Sequence, residues 1–379
     1  MTNQEKNVPE LRFPEFDGEW EEKKLGDIGS VAMNKRIYKN ETTNHGEIPF
    51  YKIGTFGKKA ETFISREKFE EYKEKYPYPN KGDILISASG SIGRTVEYDG
   101  EEAYYQDSNI VWLQHNNEVL NVFLKYFYLI VKWNGIEGTT IKRLYNKNIL
   151  NTKIELPVKE EQQKIGEFFS KLDQQIELEE QKLEKLEEQK KGYMQKIFSQ
   201  ELRFKDENGN DYPEWEIKKL MQIAKVKTGS KNVQDNIQDG KYKFFDRSVE
   251  VKYLNTFDFD ETAIIYPGEG SKFLPRYFSG KYSLHQRAYS IYDININNNY
   301  LYYYLSLQNN HFLKYAVGST VKSLRMSGFD KLKVMVPKNS EQEKIGSFFK
   351  NLDEFIEKQA NKVELLKKRK QSFLQKMFV

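Results

Sequence analysis

Two stretches of the chain carry an unbroken 4-and-3 spacing of largely apolar residues. The first runs Ile165, Phe169, Leu172, Ile176, Glu179, Leu183, Leu186, Lys190, Tyr193, Ile197. The second runs Ile345, Phe349, Leu352, Ile356, Gln359, Val363, Leu366, Lys370, Phe373, Met377, with its polar interruptions at the two equivalent places. Each series is a heptad seam and predicts one long helix. Each helix opens shortly after a proline, Pro157 or Pro337, and Ser340 with Glu343 has capping-box spacing at the second start. Elsewhere the pattern shortens. Runs rich in β-branched and aromatic residues at 48–53, 83–87, 108–113, 242–245, 263–266 and 288–292, separated by Gly, Asn and Asp, predict strands and turns. Helical spacing returns at 119–132 and 299–313. The fold class is therefore α+β.

The two helical patterns are copies of each other. Residues 157–173 read PVKEEQQKIGEFFSKLD and residues 337–353 read PKNSEQEKIGSFFKNLD, an offset of 180. The same offset relates GTTIKRL at 138–144 to GSTVKSL at 318–324, and YMQKIF at 193–198 to FLQKMF at 373–378. Near the starts, WEEKKL at 20–25 matches WEIKKL at 215–220 at an offset of 195, so the first copy is 15 residues longer between these landmarks. The chain is an internal duplication. It divides into a globular domain at 1–156, a long helix at 157–200, a second globular domain at 201–336 and a second long helix at 337–379. Each copy has a fixed beginning, a variable middle and a fixed end; the middles, about 30–130 and 225–315, agree only sporadically, as at Gln106 and Gln286. Fixed ends suit a shared scaffold. Divergent middles suit two different ligands, or simple drift after duplication.

A lone amphipathic helix must bury its stripe, and the other copy supplies a partner. Parallel pairing would set Lys190 against Lys370. Antiparallel pairing about a pseudo-two-fold instead sets Glu179 against Lys370 and Lys190 against Gln359, with Leu183 on Leu366 and Ile176 on Phe373. This predicts an antiparallel intramolecular coiled coil, the overlap running roughly 39 Å, its register fixed by those polar layers. A seam that forms homodimers is the competing arrangement.

Composition narrows the function. The 379 residues include 38% hydrophobic and 14% aromatic residues, enough for packed cores, and no cysteine, which excludes disulfides, thiolate metal sites and cysteine nucleophiles and suits a cytoplasmic location. The most apolar stretch, 122–131, is ten residues long and contains Lys125, too short for a bilayer. Sixty basic against 56 acidic residues point only weakly to nucleic acid.

Basic and amide side chains lie among aromatics and glycines in both middles. In copy one they are Lys35, Arg36, Lys58, Lys59, Arg94, Gln106 and Asn109; in copy two, Lys227, Ser230, Lys231, Arg247, Lys272, Arg276 and Gln286. Arg, Asn and Gln read base edges, while Lys, Ser, Thr and backbone amides hold phosphates. A solvated polar surface is the plain alternative for any one of them. The paired loops at 138–142 and 318–322 are better placed for phosphate, since each is a small-residue turn ending in lysine: Thr140, Lys142 and Arg143 in one, Thr320 and Lys322 in the other.

Enzyme motifs fail. Residues 88–95, ASGSIGRT, approximate a phosphate loop but carry arginine for lysine and precede a strand pattern where such a loop opens a helix. Residues 267–270, PGEG, faintly resemble a methyl-donor loop, yet a turn common to both domains explains both segments. No proline adjoins another, so the Asn/Asp-Pro-Pro-aromatic motif of an adenine methyltransferase is absent, and His45, His115, His285 and His311 are too scattered for a metal site.

The duplicated pattern resembles the DNA-specificity subunit of bacterial type I restriction-modification systems. The resemblance spans nearly the whole chain and rests on 157–173 and 337–353, the two GxTxK loops, the GDILI strand at 82–86 and the Trp20 and Trp215 openings. It implies two target-recognition domains, each reading half of a bipartite duplex sequence, with the coiled coil as ruler. It also implies a non-catalytic chain that binds no cofactor itself and joins two methyltransferase subunits, which use S-adenosylmethionine, and two restriction subunits, which use ATP and magnesium. A duplicated coiled-coil adaptor that touches no nucleic acid is the alternative; salt-dependent duplex binding separates the two.

Overall fold

The computed structural model describes residues 7–133, 135, 142–248 and 250–379. The chain forms two compact units. Unit 1 takes the chain up to Glu180 together with Asn361–Val379; unit 2 takes Gln181–Ala360. The long helices, Lys159–Phe198 and Asn339–Lys376, are therefore each divided between the units, where the sequence suggests they stand apart.

Unit 1 is anchored by the antiparallel pair Glu21–Lys24 and Lys153–Leu156, which brings the two ends of its globular part together. A four-stranded sheet follows in the order Gly29–Ala32, Ile110–His115, Ile84–Ser87, Thr95–Glu97. A three-stranded sheet, Phe63–Ile64, Ile48–Tyr51 and Tyr104–Tyr105, and the helix Arg66–Lys75 complete the variable part. Ser65 caps that helix by accepting from the Lys68 N–H, and Phe69 is its one buried side chain.

Unit 2 repeats the anchor with Glu216–Lys219 and Lys333–Val336. Its variable part is a single six-stranded sheet in the order Lys225–Thr228, Tyr289–Tyr292, Phe259–Tyr266, Arg276–Leu284, Tyr242–Phe245, Lys252–Leu254. The strand and helix patterns read from sequence appear at or near their places. The helical stretch at 299–313 is split, into Asn298–Ser306 and Asn309–Tyr315.

The fixed parts agree side chain for side chain. In unit 1, Trp20 packs edge-on to Phe123, the Tyr126 hydroxyl donates to Asp173, and Phe169 lies 6.1 Å from Phe378. In unit 2, Trp215 packs edge-on to Tyr300, the Tyr303 hydroxyl donates to Asp353, and Phe349 lies 5.9 Å from Phe198. Gln162 and Gln342 are both buried, each donating to its helix-opening proline carbonyl and accepting from the N–H of Leu120 or Asn297. Glu161 and Glu341 are fully buried beneath a two-pronged arginine, Arg12 or Arg203. At the second helix start the capping box does not form: Lys338 is the residue whose carbonyl accepts the first helical bond, Ser340 lies inside the first turn, and Gln342 secures the end by donating to Pro337 and Asn339.

Within each unit the two long helices run antiparallel, as the seam predicts. The register differs from the expected one. Phe373 meets Phe168 rather than Ile176, Lys370 pairs with Asp173, and Glu179 takes Lys362. In unit 2, Tyr193 meets Phe348, and Lys190 pairs with Asp353 in place of Gln359. The slip is six to eight residues, about one heptad. Its cause lies at the helix ends. Leu374, Met377 and Phe378 are buried in unit 1 with Trp20, Phe123 and Phe169; Met194, Ile197 and Phe198 are buried in unit 2 with Trp215, Tyr300 and Phe349. Fully burying each large apolar side chain contributes about 1.5–3 kcal/mol. A part-buried ion pair contributes less, because desolvation offsets much of its Coulombic gain, so the aromatic ends set the register and the lysines find other carboxylates.

Candidate nucleic-acid interface

The turns at one edge of each unit's variable sheet gather some of the candidate residues. In unit 1 the strand Ile84–Ser87 ends in the turn 88–94, where Gly90 and Gly93 take positive φ of 64° and 81°. Ser87 Oγ accepts from the Arg94 N–H at 2.9 Å, and the chain continues into the strand Thr95–Glu97, so this is a turn and no phosphate loop. The Leu144 N–H donates to the Ala88 carbonyl, as the Leu324 N–H does to the Gly268 carbonyl; the turn is common to both units, as the sequence suggests.

Around this turn unit 1 gathers Arg94, Gln106, Asn109 and Arg143. Arg94 folds inward: Nη2 donates to the Ile53 carbonyl at 3.3 Å, the guanidinium covers the Phe56 ring, and buried Nε has no partner among the described residues. Gln106 Oε1 accepts from the Ile53 N–H at 3.0 Å, and Asn109 Oδ1 accepts from Ser89 Oγ at 2.7 Å and Arg143 Nη2 at 3.4 Å. Lys35 and Arg36 are exposed, over Tyr76 and Tyr38 respectively, with Arg36 3.9 Å from Asp107. Lys59 and Lys142 are also exposed, and Thr140 lies outside the described residues. Lys58 lines a cleft of about 190 Å³ with Glu97, Asp99 and Glu101, carboxylates that oppose a phosphate there.

In unit 2, four connections converge: 232–235, 246–248, 267–270 and 285–288. They enclose a cleft of about 270 Å³ lined by Arg247 and Gln286, both read from sequence, and by Glu269, His285 and Arg287, which sequence reasoning missed. Glu269 receives Arg287 Nη1, Arg247 Nη1 at 3.5 Å and Ser323 Oγ at 3.4 Å. Burial works to raise the Glu269 carboxyl, but the Arg287 hydrogen bond and the charges of Arg287 and Arg247 outweigh it and hold it below its ordinary value. Asp246, 3% exposed, is likewise pushed up by burial and pulled further down by Lys252 and Ser248. Burial lowers the His285 imidazole from its ordinary value.

The remaining candidates are spread out. Lys231 pairs with Asp258 at 3.2 Å beside the cleft, and its backbone binds Leu284 and Gln286. Ser230, Lys272 and Thr320 are exposed; Lys322 is half-buried on the short strand Lys322–Ser323 that pairs with Glu269–Gly270. Lys227 sits 3.8 and 3.9 Å from the ring centroids of Phe259 and Tyr292 and pairs with Glu261, a packing position. Arg276 donates to the Ser248 carbonyl and leaves Nη1 buried without a partner among the described residues.

The missed residues differ in legibility. Arg12 and Arg203 lie in a repeated ELRF, 10–13 and 201–204, that could have found them. Arg287 follows Gln286 directly, but the offset sets it against Asp107, which hid it. Among the described residues no group of three or more His, Asp or Glu is arranged to hold a metal ion, and no helix is long and apolar enough to cross a membrane.

Comparison with known proteins bears on this arrangement. The family model for the type I restriction modification DNA specificity domain matches twice, at 17–188 and 212–367. A Haemophilus influenzae protein named as type I restriction enzyme specificity subunit S.HindORF215P is 58% identical over 150 residues, 39% of each chain. The MjaVIII specificity subunit of Methanocaldococcus jannaschii is 27% identical over 238 residues, 59% of this chain and 53% of that one. The chain thus spans about two fifths to one half of the length of these relatives. The type I restriction-modification S subunit from M. genitalium has the same fold, with a TM-score of 0.63 at 16% identity, covering 98% of this chain and 99% of that one. With both copies matched across most of the sequence, the chain belongs to the type I restriction modification DNA specificity family.

Proposed function

We propose that this chain is the sequence-reading, non-catalytic subunit of a type I restriction-modification complex, each unit recognising one half of a bipartite double-stranded DNA target. The observation that carries the reading is a contrast. Anchor strands, buried Arg–Glu pairs and helix-end aromatics repeat in both units, while the variable parts are a four-stranded plus a three-stranded sheet in one and a six-stranded sheet in the other. A duplicated scaffold carrying two different edges suits two readers of different half-sites. Donor-rich turns at those edges suit base and phosphate contact.

In this reading the paired long helices fix the spacing between half-sites and help to dock two methyltransferase subunits, with two restriction subunits completing the assembly. S-adenosylmethionine, ATP and magnesium act on those partners, and this chain binds none of them. The complex works in the cytoplasm, where its DNA is.

A genome-wide map of methylated adenine in cells with and without the gene tests it. The expected result is loss of one split, asymmetric motif on deletion. An unchanged map in cells whose methyltransferase subunit is active would overturn the proposal. Duplex binding whose affinity falls steeply with salt would further separate it from a protein adaptor.

A further inference from the structure

The unit 2 cleft is built to present donors. Arg247 and Arg287 each rest one edge on Glu269, yet each side chain is 64% exposed, so their remaining N–H groups face outward. Glu269, 12% exposed, is enclosed by the pair. A guanidinium pinned along one edge has lost rotamer freedom before any ligand arrives, which sharpens its geometry. The backbone of Arg287 is fixed as well. Its carbonyl oxygen lies 1.2 Å from where a Cβ on residue 268 would sit, so only glycine fits there, and its N–H donates to His285 Nδ1 at 3.2 Å. With Nδ1 accepting, the ring carries its proton on Nε2, a further donor.

The acceptors are already occupied. Glu269 takes Arg247, Arg287 and Ser323; Asp246 takes Lys252 and Ser248. Gln286 commits one of its two amide N–H groups to Asn232 Oδ1 at 2.8 Å and keeps one donor and Oε1, against the several N–H groups that each exposed arginine keeps. Cytosine presents a donor, N4, and both carboxylates at the cleft are already engaged. Guanine alone shows two adjacent acceptors, O6 and N7, in the major groove, and a guanidinium fork matches them. Beside the cleft, Lys322 and Ser323 come from the fixed loop suited to phosphate, so a base donor and a phosphate holder stand on one edge.

We infer that this cleft reads a guanine in the half-site of unit 2, Arg287 supplying the paired donors and Glu269 acting as a positioning residue. The inference rests on the DNA-reading function proposed above.

The test is selection by the complete complex, this chain with its methyltransferase subunits, from a duplex pool randomised at both half-sites. Wild type should enrich a split motif with at least one G·C pair in one half. Arg287→Ala should lose roughly ten- to hundredfold preference at a single G·C pair there and keep every other position. Arg287→Lys, which retains the charge and a point donor but lacks the fork, should lose part of that preference at the same pair. Glu269→Gln should relax the same pair by less, a change at one base that a purely structural role would not produce. Uniform weakening on all sequences by both Arg287 variants would make the residue a phosphate or folding contact and overturn the assignment, as would an unaltered motif. A wild-type complex that enriches no sequence would overturn the DNA-reading function and the guanine assignment with it.

Discussion

Unit 1 and unit 2 make the same turn from different side chains. Where unit 2 places Glu269 under two arginines and Ser323, the equivalent positions of unit 1 are Ser89 and Arg143, and there Asn109 accepts from both. The backbone bond that docks the fixed loop is the same in both, Leu144 to Ala88 and Leu324 to Gly268. In unit 1 the arginine that bonds Asn109, Arg143, comes from the fixed loop while Arg94 of the variable part folds inward over Phe56; in unit 2 both arginines come from the variable part. The scaffold holds the position of the edge and leaves its donors and acceptors free to differ. That is what two readers of unlike sequences require.

The most drastic way to break this comparison is to exchange the variable part of one unit. Replacing residues 30–130 with the corresponding segment of a relative of different specificity should change one half of the methylated motif completely and leave the other half intact. A change in both halves would show that the units do not read independently.

Next come the parts where the units are alike. Arg12 and Arg203 each cover a fully buried glutamate, Glu161 or Glu341, with two guanidinium bonds. Removing either arginine leaves an uncompensated buried charge, a loss of about 3–5 kcal/mol. Urea unfolding of Arg12→Ala and Arg203→Ala should show that both fall in this range. A large loss at only one site would mean the scaffold is less symmetric than its contacts.

One scaffold difference allows a finer test. Trp215 Nε1 donates to Glu341 at 3.0 Å, whereas buried Trp20 Nε1 has no partner among the described residues. Trp215→Phe should therefore cost about 1.5–3 kcal/mol more than Trp20→Phe, the worth of a hydrogen bond to a charged acceptor. Equal losses in urea would assign the Glu341 contact no net weight.

These pairs also show what the sequence could and could not disclose. The duplication, the strands and the two long antiparallel helices follow from repeat and periodicity, because both signals are local or self-referential. The register does not. It is set by Phe378 and Phe198 entering the globular cores, and a seam pattern says nothing about where a helix end is captured. Within the candidate site, Arg247 and Gln286 were legible as donor residues among turns, but their convergence with Arg287 depends on how four connections fold together. Lys227 looked the same in sequence and is held between Phe259 and Tyr292. Residue type points to a chemistry; only packing decides whether that chemistry faces outward.

The smallest expected difference is one of pH, and its sign follows from the groups at the cleft. His285 is lowered by burial from its usual 6.5, so as pH falls below that value the unfolded chain takes the proton first and unit 2 loses stability. Glu269 and Asp246 also lie below their usual 4.5 and 3.8, so their contribution is present above those values and fades as pH falls through the folded ones. All three therefore act in one direction. In unit 1, Glu155 is raised by burial, with the opposite sign: it stabilises below 4.5 and loses that contribution as pH rises through its folded value. Hydrogen exchange on the intact chain, corrected for intrinsic rates, should show the amides of Arg287 and Ala288 losing protection between pH 7 and pH 5, before those of Glu155 and Leu156. Protection lost in parallel at both places would mean that His285 does not control the local stability of the unit 2 edge.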